Sequence, residues 1–356
     1  MTTESTPSRS WLLSALVLSA FFVSGIAGLV HEVIWIRLLR HVMGNSTFAI
    51  SMVLTVFMGG LALGSFLAGR LAGRLRRPLI AFALLELGIG LYGLALPWLL
   101  EMAQPIYRGL YAAADGNFVV VTFARFIVST LMLLIPATLM GTTLPILAHL
   151  FEGKPGERKG TGLGTLYAVN TLGAAVGAAS AGFLWIPSLG MTRTIFLAAF
   201  FNVIVALAGL VLARKFGSRE PAPRQQSFRG GDTEDRGPWR GLLLAYGASG
   251  FSALVYEVAW TRVLSAQIGS TVYAFSMMLT AFILGLGLGS LLAEPLVKRL
   301  KRPALTLAFV QALIAAACIA VVPLFEWLPV HLTGWIANSS DQGFFSLQRT
   351  LFGVLW

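Results

Sequence analysis

The feature that most limits what this chain can fold into is a series of apolar stretches recurring along nearly its whole length. They fall at 11–30, 48–68, 79–100, 118–150, 163–186, 195–212, 242–255, 272–292 and 304–324, and a tenth begins at 344. A helix rises 1.5 Å per residue and the hydrocarbon core of a bilayer is about 30 Å thick, so about 20 apolar residues make one crossing. The spacing predicts nine complete transmembrane helices and one that has only begun. Composition agrees, with 56% hydrophobic and 12% charged residues and a mean hydropathy of +0.79, where a soluble domain carries about a quarter charged residues. The first stretch starts just after Arg9 as a signal peptide would, but its repeat partner lies mid-chain, where no leader is expected.

That repeat is explicit. "SGIAGLVHEVIWIR" begins at Ser24, and "SGFSALVYEVAWTR" begins 225 residues later at Ser249. Laid over one another without a gap, 24–78 and 249–303 agree at 28 of 55 positions, among them Glu32/Glu257, Trp35/Trp260, Arg37/Arg262, Gly64/Gly289 and Pro78/Pro303. Shared hydrophobicity does not produce identity of that kind. Six spans separate the copies, so both enter the membrane in the same direction and form parallel repeats. The expected organisation is a first membrane repeat of six helices at 1–213, a linker at 214–240 rich in Pro, Gly and charge, and an incomplete second repeat at 241–356 with three helices and the start of a fourth.

Charge gives an orientation. Of the 26 Lys and Arg, 19 fall in segments that face inward if the amino terminus is cytoplasmic, and 5 in segments that face outward. This bias predicts a cytoplasmic amino terminus and a cytoplasmic linker. The net charge of +11 thus reads as topology. Nucleic-acid binding is not expected, because no basic helix or aromatic platform accompanies it. The single cysteine, Cys318, excludes a disulfide framework and a cysteine-rich metal site. None of His31, His41, His149 and His331 has a partner at metal-ligand spacing, so no metal is expected.

Several separated phrases carry a family resemblance: the doubled "GLVHEVIWIRLL" and "ALVYEVAWTRVL", "FMGGLALGSFLAGRL", "PATLMGTTLP" and "LYAVNTLGAAVGAASAGFLWIPSLG". With them the chain resembles the membrane part of bacterial fused major facilitator/spermidine synthase proteins. The resemblance implies an all-α, major-facilitator-like fold in a bacterial cytoplasmic membrane. It also implies a covalently attached carboxy-terminal aminopropyltransferase domain, which would use decarboxylated S-adenosylmethionine and a polyamine. That domain is not within these residues, and the chain itself is expected to carry no catalytic residue and no cofactor.

The glycines of "GLGLGS" at 285–290 alternate, but they lie within a span and repeat "GGLALGS" at 59–65. They read as small residues that let helices approach, not as a nucleotide-binding turn. The loops at 64–78 and 289–303 resemble the inner-loop signature of major facilitators, which implies a latch built on Arg74, Arg77, Glu294, Arg299 and Arg302. The first copy departs from the pattern at Gly69, where an acidic residue is usual, and a purely topogenic role for these arginines is the alternative.

An ionisable side chain inside a span is a functional candidate by default, because it is costly unless paired or hydrated. Glu32 and Arg125 sit at similar depth, the repeat duplicates them as Glu257 and Arg349, and the resemblance places their helices around a central cavity. The expectation is that Glu32 faces Arg125 and Glu257 faces Arg349. The competing reading makes "HEVIWIRLLRHVMG" an interfacial turn, with Trp35 at the headgroups and Arg37 outside. Glu86 is a further candidate, although its repeat partner is Gln311. Pro136 and Pro145 flank Gly141 and mark a bend in the fourth span. Three functions fit: the transporter-like membrane domain of a spermidine-synthase-like protein, anchoring the enzyme and channelling polyamine; a stand-alone transporter of another substrate; or a scaffold without a ligand.

Overall fold

The computed structural model describes residues 7–43, 47–115, 117–151, 162–216, 237–268, 271–297 and 302–338. No strand occurs among them. The helices are α1 (Pro7–Met43), α2 (Thr47–Leu71), α3 (Pro78–Met102), the short α4 (Gln104–Ala113), α5 (Phe118–Phe151), α6 (Leu163–Ala179), α7 (Ile186–Phe216), α8 (Gly237–Ile268), α9 (Thr271–Val297) and α10 (Pro303–Asn338). A π-helical turn, Ser180–Trp185, joins α6 to α7. By contact the chain divides into Met1–Lys298, which holds α1 to α9, and Arg299–Trp356, which holds α10. The repeat-related Pro78 and Pro303 open α3 and α10, where a missing N–H costs nothing because the first turn has no partner for it. Asn117 caps α5, its Oδ1 accepting from the N–H groups of Val119 and Val120 at 3.1 and 3.3 Å, as an N-cap side chain does.

Eight helical stretches are long and apolar enough to cross a membrane, one of them the 54-residue Leu163–Phe216. That length would be about 81 Å if straight, so it cannot be one crossing. Contacts show where it turns. Phe22 meets Gly173 and Ile26 meets Gly177, so α1 and α6 are parallel. Ser24 meets Glu86 and His31 meets Gly93, so α1 and α3 are parallel too. Gly90 meets Asn202 while Ala83 meets Gly209, so α7 opposes α3 and therefore α6. The reversal falls at Gly190, whose φ of 77° suits glycine alone. Nine crossings result among the described residues, as the spacing predicts.

The same bookkeeping gives the remaining directions. Gly60 against Ala137 and Gly64 against Gly141 make α2 and α5 parallel. Tyr92 against Met132 and Gly88 against Leu139 set α5 opposite to α3. Gly182 against Ser276 and Gly287 against Leu172 set α9 opposite to α6. Hence α9 runs in the same direction as α2, its repeat equivalent, and the repeats are parallel. The α2–α5 contact is backbone on backbone: a Cβ on Gly64 would strike the Thr138 carbonyl, and one on Gly141 would strike Leu61. Small residues at helix interfaces serve this close approach. "GLGLGS" likewise lies inside α9, where Gly287 meets Leu172.

Pro136 and Pro145 do not interrupt α5, which is helical throughout. Each removes an N–H and so frees the carbonyl four residues earlier. Both carbonyls are taken up by hydroxyls from neighbours. Tyr92 Oη of α3 donates to Met132 at 2.8 Å, and Ser65 Oγ of α2 donates to Gly141 at 2.9 Å. In hydrocarbon an orphaned carbonyl has no water to turn to, so backbone polar groups must be satisfied within the protein.

The interior is layered. One apolar cluster gathers Val17, Phe21, Phe82, Leu147, Leu166 and Val205. A second gathers Trp35, Leu54, Phe57, Leu133, Ala178 and Leu279. On α1 the polar residue between them is Ser24, on α3 Glu86 and on α7 Asn202, so a polar layer separates the two, with His31 at the edge of the second cluster.

Candidate functional site

Glu86 heads that polar layer. It is fully buried, and its two oxygens are held from two helices: Ser24 Oγ of α1 donates to Oε1 at 2.6 Å, and Asn202 Nδ2 of α7 donates to Oε2 at 2.8 Å. With its amide nitrogen committed to Glu86, Asn202 turns its Oδ1 toward His31 Nε2, 3.1 Å away. Nε2 therefore carries a hydrogen and donates. The imidazole stacks on Trp35 one turn further along α1, with centroids 5.7 Å apart. It fits against α3 only because position 93 is glycine, where any Cβ would collide with the ring. Its other nitrogen, Nδ1, is buried without a partner.

The residue after His31 is Glu32, about 100° further round the helix. It faces the second repeat. Glu32 and its repeat equivalent Glu257 on α8 are both fully buried, and they lie close enough to interact electrostatically. None of their four carboxyl oxygens has a hydrogen-bond partner among the described residues. Arg37 does not neutralise Glu32, since five residues along a helix is about 140° round the axis, and its own Nε is buried without a partner. On α9, Ser276 is also fully buried with an unpartnered Oγ, and it packs against Gly182 of the π-helical turn. With Ile26 level with Gly177, parallel register brings Gly182 level with 31–32. Three unpartnered oxygen-bearing side chains from α1, α8 and α9 thus share this part of the boundary between the repeats, beside a π-turn of the kind that recurs at functional sites.

Two expectations are corrected here. Glu32 does not pair with Arg125. Arg125 is only half-buried on α5, and neither Glu32 oxygen accepts a hydrogen bond from it or from any described residue. Matched depth fixes one coordinate only, and the charge within electrostatic reach of Glu32 is Glu257 on α8. Trp35 is not at the headgroups: it is 1% exposed, inside the second apolar cluster, with Phe57 edge-on at 6.2 Å. Helix α1 passes straight through "HEVIWIRLLRHVM", which is core and not an interfacial turn.

The other candidates are placed as follows. Arg74, Arg77 and Arg302 are exposed at helix ends. Glu294 lies on α9, its side chain outside the described ones, and Arg299 and Arg349 lie outside the described residues, so the latch and the Glu257–Arg349 pair have no geometry here. Cys318 on α10 is a free thiol. Among the described residues no group of His, Cys, Asp and Glu is arranged to hold a metal.

Like-directed repeats, buried ionisable groups on the first helix of each, and nine crossings define a multi-pass, transporter-type membrane protein. The chain belongs to the Major Facilitator Superfamily, whose family model matches residues 12–348. Among curated proteins it is 31% identical over 201 residues to Polyamine aminopropyltransferase 2 of Streptomyces coelicolor, covering 55% of this chain and 34% of the relative. It is 27% identical over 197 residues to Polyamine aminopropyltransferase 1 of the same organism, covering 55% and 33%. To the Polyamine aminopropyltransferase of Corynebacterium efficiens it is 27% identical over 226 residues, covering 62% and 39%. The match spans between a third and two fifths of these relatives' length. No solved structure matches the chain. Family and relatives both agree with the resemblance carried by the doubled phrase.

Proposed function

We propose that this chain is the transporter-like membrane region of a membrane-bound aminopropyltransferase, anchoring a catalytic domain and binding a polyamine between Glu32 and Glu257. The observation that carries the reading is the pair itself: two repeat-equivalent carboxyls, both buried, neither with a donor among the described residues. A buried charge without a partner costs ~2.5 to 3.5 kcal/mol even on the lenient insertion scale. An ammonium group supplies the missing charge and up to three donors. The methylene chain of a polyamine suits the apolar cluster around it. Decarboxylated S-adenosylmethionine belongs, on this reading, to the catalytic domain alone.

Spermidine titrated into this chain in lipid nanodiscs is expected to raise its melting temperature. Glu32→Gln and Glu257→Gln should each weaken binding about 10- to 100-fold, the range for a hydrogen bond to a charged group. Equal protection of wild type and both variants would remove the pair from substrate binding. No protection at all would favour a ligand-free anchor or another substrate.

The orientation belongs to the same proposal, with the amino terminus and the linker at 214–240, most of which lies outside the described residues, on the cytoplasmic side of a bacterial cytoplasmic membrane, on the strength of the basic bias. A reporter inserted within 217–236 should behave as cytoplasmic. Periplasmic activity there would invert the assignment.

A further inference from the structure

We propose that Glu86, Asn202 and His31 form a one-proton site of the first repeat, separate from the Glu32–Glu257 pair, and that a cation binding at that pair expels its proton to water. The inference rests on the amine-binding reading and adds to it an exchange of amine for proton.

The cluster has room for one proton and a reason to hold it. Because Asn202 bonds Glu86 through its nitrogen and His31 through its oxygen, the hydrogen on Nε2 is fixed, and Nδ1 is left as a bare buried lone pair. Ser24 can donate to Glu86 or accept from it over the same 2.6 Å. A proton therefore has two places to sit, Nδ1 of His31 or the Glu86 carboxyl. With none, the layer carries one uncompensated negative charge between two apolar clusters. With one it is neutral, and with two it is cationic.

No neighbouring group supplies the compensation instead. Around the cluster, Tyr92 of α3 is committed to the Met132 carbonyl. Arg125 of α5 is half-buried and Arg193 of α7 is exposed. The titratable side chain of α6 is Tyr167, and α2 has Arg70 in its last turn. Neither oxygen of Glu86 is described as bonded to any of these. On α1 itself the nearest ionisable group is Glu32, which is negative or neutral and faces away.

Coupling follows from adjacency. His31 and Glu32 are consecutive residues in a water-excluded interior, where charges act on one another more strongly than in water. Placing an ammonium against Glu32 raises the local potential and makes the proton next door less stable, and by linkage the proton opposes the amine equally. The repeat does not duplicate the two titratable groups, since Gln311 and Tyr256 stand where the first copy has Glu86 and His31.

The test is calorimetric titration of spermidine into this chain in nanodiscs at one pH, in two buffers of different ionisation enthalpy. Wild type should release up to about one proton per spermidine bound. Glu86→Gln places at 86 the residue the chain already has at the equivalent 311, and it should bind spermidine with heat that no longer depends on the buffer. Infrared spectra give a second readout, in which a buried carboxylic-acid or imidazolium signal of wild type diminishes on adding spermidine and is absent or unresponsive in Glu86→Gln. Buffer-independent heat in wild type would overturn the exchange and leave amine binding standing. Undiminished proton release from Glu86→Gln would place the proton on the Glu32–Glu257 pair and overturn this site. Absence of spermidine binding would overturn both the function and the exchange.

Discussion

Gly141→Leu is expected to keep the protein from accumulating in the membrane. At this position the backbones of α2 and α5 touch, so a leucine cannot be absorbed by a rotamer change and must drive the helices apart. Overpacking alone typically costs 1–3 kcal/mol. Separation also withdraws Ser65 from the Gly141 carbonyl, exposing a buried acceptor at about 1–3 kcal/mol more. Together these make about 2–6 kcal/mol, enough to reach the lower end of a domain's stability margin of about 5–15 kcal/mol. Gly59→Leu is the control, on α2 with nothing within 4 Å of an added Cβ, and it should accumulate as wild type does. Equal levels of the two variants in membrane fractions would refute the close approach.

Asn202→Leu should destabilise nearly as much by a different route. Volume is roughly kept, but Glu86 and His31 each lose a partner. Neutral interhelical hydrogen bonds in membranes average about 0.6 kcal/mol, which would make the change mild. Glu86 decides otherwise, because leaving a buried polar group unsatisfied costs about 1–3 kcal/mol, and more for an ionisable group. Replacing both members should be gentler than the two single changes added together, since no stranded acceptor remains. Thermal unfolding of Asn202→Leu, Glu86→Leu and the double variant measures this. Strict additivity would mean that the network is three unrelated polar residues.

The helices were legible because hydropathy encodes them directly: a run such as "FVVVTFARFIVSTLMLLIPATLM" can lie nowhere but in lipid or a large core. The α2 side of the small-residue interface was legible too, since "GGLALGS" at 59–65 repeats inside a later span, but its partner Gly141 on α5 was marked only as part of a proline bend. Glu86 stood out as a charge in a span. Its partners did not, because Ser24 and Asn202 are uncharged residues common in membrane helices. They meet Glu86 across 62 and 116 residues of chain, a separation no local pattern reports. His31 looked idle for the same reason. The duplicated phrase marked Glu32 and Glu257 as equivalent positions of the two repeats. It gave no sign that they lie within electrostatic reach of one another, because a repeat reveals equivalence and depth but not which way a helix is turned.

The two prolines of α5 have a consequence for motion. Each leaves a carbonyl that only one hydroxyl reaches, one on α2 and one on α3. A slip of α5 by a single residue along either neighbour would shift it 1.5 Å and pull both hydroxyls off target at once, with no water to take their place. Rearrangement within the first repeat thus has no cheap path through these three helices. They travel as one piece, and any rocking of the molecule has to find its fulcrum elsewhere.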